Sequence, residues 1–285
     1  MAIKLGGGGG SSSQVNEIVY LNDSANTITL DDERVYLKGG VYETNISNYP
    51  DATAGYQANG VNFSVLGQSI IGPEAVAWDG TLFWVLNPGN NAIYSYTASG
   101  NYDGGVIGCH LSNTLGLLFH ANEFVMIRGN QVVKMNAGGG HIANISISSQ
   151  TSTAVDITTD GTNYYVLDSG RNVFKYNSSF AYQSTVATGV GDANFAVKAL
   201  TFDGTYFWVM STSNPVVKYN SSWVLQSGGF NMQNIGKDIM SKRDGTSALF
   251  VADYAGHRIK EYQQIIGVAS AGSGGGAGLN YVRIK

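Results

Sequence analysis

One seven-residue string recurs along this chain and constrains its architecture more than any other feature. Asp79-Gly80-Thr81-Leu82-Phe83-Trp84-Val85 returns as Asp160-Gly161-Thr162-Asn163-Tyr164-Tyr165-Val166 and again as Asp203-Gly204-Thr205-Tyr206-Phe207-Trp208-Val209. A looser copy, with a residue inserted, runs from Asp244-Gly245-Thr246 to Leu249-Phe250-Val251, and a degenerate one is His120-Ala121-Asn122-Glu123-Phe124-Val125. The copies begin at residues 79, 120, 160, 203 and 244, a step of 40 to 43 residues. A second marker follows each: Ile93-Tyr94-Ser95-Tyr96, Val132-Val133-Lys134-Met135, Val173-Phe174-Lys175-Tyr176, Val216-Val217-Lys218-Tyr219 and Arg258-Ile259-Lys260-Glu261-Tyr262. Asp-Gly between alternating apolar runs is a strong hairpin signal, because both turn positions tolerate positive φ. Each repeat therefore reads as four strands joined by three turns.

A four-stranded antiparallel unit repeated every forty-odd residues is the signature of a β-propeller blade. Each such sheet is covered on both faces by its neighbours, which explains a composition 43% hydrophobic and 11% aromatic but only 13% charged. The last repeat, from about residue 237, supplies only three strands before the chain becomes Gly-rich after Tyr262. Its missing fourth strand has a candidate ahead of the first repeat, Val61-Asn62-Phe63-Ser64-Val65-Leu66. The expectation is an all-β chain with a propeller over residues 58–263. Five blades are favoured, and a sixth would require residues 17–46, which lack an Asp-Gly hairpin. Residues 17–57 read as a small β-element. Residues 1–16 and 264–285 read as Gly-rich tails.

A net charge of −4, with 16 Lys and Arg scattered along the chain, builds no basic stripe for nucleic acid. The single cysteine, Cys109, excludes an intramolecular disulfide. The start MAIKLGGGGGSSS is too short in apolar residues for a secretory signal, and no stretch reaches membrane-spanning length. Synthesis in a cytoplasm, without membrane insertion, is the expectation. The four histidines show no metal-ligand spacing, and the glycine runs lack the Lys-Ser/Thr context of a phosphate loop.

At two places the residues resemble known families. Val251-Ala252-Asp253-Tyr254-Ala255-Gly256-His257-Arg258-Ile259 is similar to the NHL class of propeller repeat, with Val166-Leu167-Asp168-Ser169-Gly170-Arg171-Asn172-Val173 a weaker copy. That resemblance implies a fold rather than a function. The ends, together with Leu37-Lys38-Gly39-Gly40 through Tyr49-Pro50-Asp51-Ala52, resemble tail-fibre and other tail proteins of tailed bacteriophages. This second resemblance implies a virion subunit, and with no convincing catalytic residues the expectation is that the chain is not an enzyme and takes no cofactor. Its partners would be other tail subunits in multiple copies, and a host-surface glycan or protein. Ile3, Leu5, Leu279, Tyr281, Val282 and Ile284 would be the assembly anchors.

Propellers place functional groups at the mouth of the central channel. Glu74, Asp156, Lys198 and Asp238 lie four to six residues before their Asp-Gly turns, so they are expected to converge at one mouth. Three carboxylates and a lysine there can bind a hard cation, act as an acid/base pair on a glycoside, or simply be satisfied strand ends. Tyr102, Tyr182, Trp223 and Tyr254 are candidates for stacking on sugar rings. A lectin-like module and, less favoured, a glycan-degrading enzyme stand as alternatives to the structural virion protein.

Overall fold

The computed structural model describes residues 17–20, 34–37, 40–43, 55–65, 72–109, 113–188, 196–211, 215–232, 236–246, 248–265, 267–269 and 280–284. The chain divides into two compact units at 59/60 and 262/263. In the terminal unit, β1 (Glu17–Tyr20) stands apart from a two-stranded ribbon of β2 (Arg34–Leu37) and β3 (Gly40–Glu43).

The central unit is a ring of five four-stranded antiparallel sheets, a five-bladed β-propeller. Blade 1 is built from β5 (Ala75–Trp78), β6 (Leu82–Asn87), β7 (Ala92–Thr97) and β8 (Tyr102–Gly108). It follows β4 (Gly55–Ser64) in the chain. Blade 2 holds β9 (Leu117–His120), β10 (Glu123–Arg128), β11 (Gln131–Asn136) and β12 (His141–Ser146). Blade 3 holds β13 (Ala154–Thr159), β14 (Tyr164–Asp168), β15 (Asn172–Tyr176) and β16 (Tyr182–Ala187). Blade 4 holds β17 (Val197–Phe202), β18 (Phe207–Ser211), β19 (Pro215–Tyr219) and β20 (Leu225–Asn231). Blade 5 holds β21 (Gly236–Ser241), β22 (Leu249–Asp253) and β23 (Arg258–Ile265), and its outermost strand is β4 from ahead of blade 1. The ring is thus closed by a strand from each side of the repeats, which leaves no open blade edge at the junction.

The inner strands touch in sequence around the axis, β5 to β9 to β13 to β17 to β21 and back to β5. Second strands are buried throughout, as in β14 and β22, whereas the outer strands β8, β12 and β16 are mostly exposed. Aromatic pairs join blade to blade: Phe83 lies 4.9 Å from Phe250, Trp84 5.1 Å from Phe124, and Tyr165 4.6 Å from Phe207. The Asp-Gly turns form as expected, with Gly80, Gly161, Gly204 and Gly245 all at positive φ, between 85° and 104°. In the terminal unit, β24 (Gly267–Ala269) and β25 (Asn280–Ile284) complete a sheet in the order β1-β25-β24, with Glu17 opposite Arg283. Tyr281, Val282 and Ile284 belong to β25, whereas Ile3, Leu5 and Leu279 lie outside the described residues.

Candidate functional site in the propeller channel

The registers of the inner strands stack the channel residues in levels, one residue per blade. Glu74, Leu115, Val155, Lys198 and Lys237 form one level. Val155, Lys198 and Lys237 each occupy a β-bulge, between Ala154 and Asp156, Val197 and Ala199, and Gly236 and Asp238 respectively. The next level inward is Ala75, Gly116, Asp156, Ala199 and Asp238. Glu74, Lys198, Asp156 and Asp238 do come together around a small cavity of about 30 Å³. They sit at two depths rather than one, because Glu74 and Lys198 lie one residue farther from the end of the inner strand than Asp156 and Asp238 do.

Asp156 and Asp238 are almost fully buried, at 2% and 3% exposure. Three small residues at the same level, Ala75, Gly116 and Ala199, leave room for the two carboxyls. Gly116 is required there, since a Cβ on it would stand 2.1 Å from Oδ1 of Asp156. Each carboxylate caps the exposed backbone of the following blade. Oδ2 of Asp156 accepts the Leu200 N–H at 2.6 Å, and Oδ2 of Asp238 accepts the Val76 N–H at 2.8 Å. The other oxygens accept from Ile157 and Ile239, at 2.7 and 2.8 Å. The two carboxyls also act on each other electrostatically. Burial pushes both acids up, Asp238 to about 7, and the charge of Asp238 adds to the rise at Asp156, which lies well above the ordinary carboxylate value. Two buried carboxyls that act on each other cannot both ionise cheaply, so at neutral pH the pair retains a proton.

On the small-cavity side of the pair, Lys237 is 3.4 Å from Glu74 and lies over the Tyr254 ring at 4.8 Å. On the other side the channel widens into a cup of about 470 Å³ that opens among the Asp-Gly turns. Asp156 and Asp238 line both spaces, so the acid pair is the partition between them. The cup wall includes Trp78, Phe119, His120, Thr158 and Thr201, and its rim carries Asp79, Lys242, Arg243 and Asp244.

The rim residues come from an irregularity in the last repeat. Seven residues connect Ser241 to Leu249, where four connect Thr159 to Tyr164 and four connect Phe202 to Phe207. The longer loop throws Lys242 and Arg243 over the mouth. Lys242 lies over the Trp78 ring at 4.1 Å, and burial lowers its pKa. Arg243 takes a left-handed backbone, φ 54°, and its Nη1 donates to the Thr159 carbonyl at 2.9 Å, reaching past blade 4 to blade 3. Burial, with the nearby Arg243 guanidinium, holds the His120 imidazole below its ordinary value. Nothing in the one-dimensional pattern pairs Arg243 with Thr159, and the only signal was the irregular fourth copy of the repeat.

The remaining candidates have structural settings. Trp223 is stacked on Phe207 at 4.5 Å, inside the blade. Tyr102 and Tyr182 are exposed on the outer strands, away from the cup. Burial pushes the Cys109 thiol up to about 12, which leaves it a weak nucleophile. Among the described residues no three His, Cys, Asp or Glu side chains gather to hold a metal ion, so the hard-cation reading lacks a ligand set there.

No protein-family model and no curated protein matches this sequence. Among solved structures the chain is similar to the glutaminyl cyclase of Myxococcus xanthus, with a TM-score of 0.60 at 8% identity, covering 74% of this chain and 97% of that one. It is also similar to a streptogramin B lyase, with a TM-score of 0.45 at 14% identity, covering 70% of this chain and 67% of that one. At such identities the cyclase likeness shows the fold, the propeller read from the repeats. It also corrects the expectation that this chain is not an enzyme: almost the whole of an enzyme is built on the same fold. That expectation rested on the lack of a recognisable catalytic pattern in the sequence.

Proposed function

We propose that this chain is a tail or tail-fibre subunit of a tailed bacteriophage, and that its propeller binds a host-surface molecule or a neighbouring subunit through the wide mouth. The observation that carries the binding site is the 470 Å³ cup, where hydrogen-bonding groups from several blades converge over a buried acid pair. A concave space of that size with shifted acids at its base is the usual form of a ligand site. The virion setting is supported by the resemblance at residues 1–13, 34–53 and 279–285. Mass spectrometry of purified particles should recover the chain, and added soluble propeller should compete with particles for host cells. Trimming residues 1–13 and 270–285 should leave a folded propeller that no longer incorporates. Incorporation of the trimmed chain would refute the anchoring role, and failure to compete would refute binding by the propeller.

A second reading is favoured by the acid pair itself. One protonated and one ionised carboxyl at the base of an accessible cup are a general acid and a general base side by side. On this reading the bound molecule is also transformed. Turnover by the intact chain, abolished in both Asp156→Ala and Asp238→Ala at unchanged fold, is the result it requires.

A further inference from the structure

We propose that the wide mouth recognises an acidic sugar, a small polyol bearing one anionic group, with Arg243 holding the anion and the Asp156–Asp238 pair holding hydroxyls. The inference rests on the wide mouth being the ligand site and names the ligand's chemistry.

Arg243 is the first ground. Its guanidinium has five N–H donors in a planar fork suited to carboxylate or phosphate. Among the described residues only Nη1 has an acceptor, the Thr159 carbonyl, and no carboxylate forms an ion pair with it. A largely buried guanidinium with most of its donors unused, on the rim of a cavity, is poised for an anion from outside. The strained αL backbone at Arg243 holds the side chain in that position.

The rim carboxylates do not compete for this role. Oδ1 of Asp79 accepts from the Thr81 and Leu82 N–H groups and Oδ2 accepts from the Trp84 indole, while Asp244 Oδ1 accepts from Thr246. Asp160, whose charge acts on Arg243, is held likewise, Oδ1 accepting from the Thr162 and Asn163 N–H groups and Oδ2 from the Tyr165 hydroxyl, so all three are committed to their own turns. Lys242 adds a second positive charge beside Arg243, and the His120 ring lines the same wall.

The base of the cup supplies the second half of the recognition. Each carboxyl of the pair is locked by two backbone N–H groups, and its oxygens keep further lone pairs. With one retained proton the pair can both accept from and donate to a hydroxyl, which suits vicinal hydroxyls better than an apolar or purely cationic group. Thr158 and Thr201 add hydroxyls to the wall, and Trp78 and Phe119 give it apolar area. The volume of about 470 Å³ admits a mono- or disaccharide.

The test uses the full chain with three probes, glucuronic acid, glucose 6-phosphate and glucose, followed by calorimetry or ligand-observed NMR. At least one of the two acidic sugars should bind tenfold or more tighter than glucose, and the two acidic arms distinguish carboxylate from phosphate. Arg243→Gln should erase that preference, and Arg243→Lys should restore only part of it because the fork is lost. Asp238→Ala should weaken all sugars alike. Tyr182→Ala, on an outer strand, should change nothing. Equal binding of acidic and neutral sugars, silence of both acidic sugars, or an unaltered preference in Arg243→Gln would overturn the proposal. These failures concern the ligand's chemistry alone. If soluble propeller still competes for host cells, the binding role stands without the acidic sugar.

Discussion

Asp156 and Asp238 face the same two cavities across the channel, although they belong to blades 3 and 5 and blade 4 stands between them in the ring. Each is also bonded to the backbone of the next blade, at Leu200 and Val76. The two Oδ2 atoms therefore tie blade 3 to blade 4 and blade 5 to blade 1, and at neutral pH the two acids retain a proton.

The first prediction follows from that proton. Both acids titrate higher in the folded chain than in the unfolded one, Asp238 at about 7 against an ordinary 3.8. The folded state then binds more protons than the unfolded state between those values, so stability is fullest below about pH 4 as far as the pair is concerned. It declines as pH rises through 7. At about 1.4 kcal/mol per pKa unit, the rise at Asp238 alone corresponds to a loss of about 4 kcal/mol. Asp160 and Asp244, held low by hydrogen bonds despite some burial, act oppositely and only at the acid end. Urea midpoints measured from pH 5 to 8.5 should fall steadily. Asp238→Ala should be less stable at pH 5 but show a much flatter profile, and a wild-type profile that rises across this range would contradict the retained proton.

Gly116 gives the second prediction. A Cβ there would stand 2.1 Å from Oδ1 of Asp156 and 2.7 Å from its Cα, and the backbone atom cannot move aside. Gly116→Ala should cost about 2–3 kcal/mol by overpacking, although Gly→Ala normally stabilises a chain at a compatible backbone. Equilibrium unfolding decides it. A neutral or stabilised variant would mean that the channel is looser at this level than the geometry requires.

The third prediction concerns the turns. The Trp208 indole N–H donates to Oδ2 of Asp203 at 2.6 Å, while Oδ1 takes the Thr205 and Tyr206 N–H groups. Trp84 repeats this on Asp79, and Tyr165 does so on Asp160 through its hydroxyl at 2.7 Å. Each turn aspartate thus orients an aromatic on the next strand. Asp203→Ala should destabilise by about 2–3 kcal/mol and change the near-ultraviolet circular dichroism of Trp208, with Asp203→Asn losing less. An unchanged aromatic spectrum in the alanine variant would rule out that orienting role.

These turns also explain what could be read in advance. A blade is local: its four strands, its Asp-Gly hairpin and its apolar alternation lie within forty residues, so five copies give five blades without three-dimensional information. The channel is not local. The depth of Asp238 is set by the end of its strand at Ser241 and not by Asp244, because the turn there is longer, so only the strand pairing puts it level with Asp156 and one residue deeper than Glu74 and Lys198. Arg243 was hidden for the same reason, since its acceptor Thr159 lies two blades away around the ring. The pairing of β1 with β25 joins the small β-element to residues that composition alone presented as a separate Gly-rich tail.

The last prediction tests the closure of the ring. Blade 5 takes its outermost strand from β4, and the residues after it are clamped to distant parts of the chain. Val65 is fully buried, and its N–H donates to the His257 carbonyl at 2.9 Å. Phe63 lies 5.3 Å from Phe83 and 5.4 Å from Tyr96, which places it between blades 5 and 1. Removing this side chain should therefore weaken the junction of the ring and not merely one blade. Phe63→Ala is expected to cost about 2–3 kcal/mol, toward the lower end for a core phenylalanine because the ring is only partly buried. Hydrogen exchange should then rise first in β23 and β5, the strands on either side of the junction, while β13 to β16 keep their protection. Deleting residues 1–54 should spare this arrangement, whereas deleting residues 1–65 should expose the edge of β23 and end cooperative melting. If the longer deletion melted as sharply as the full chain, β4 would not be what closes the propeller.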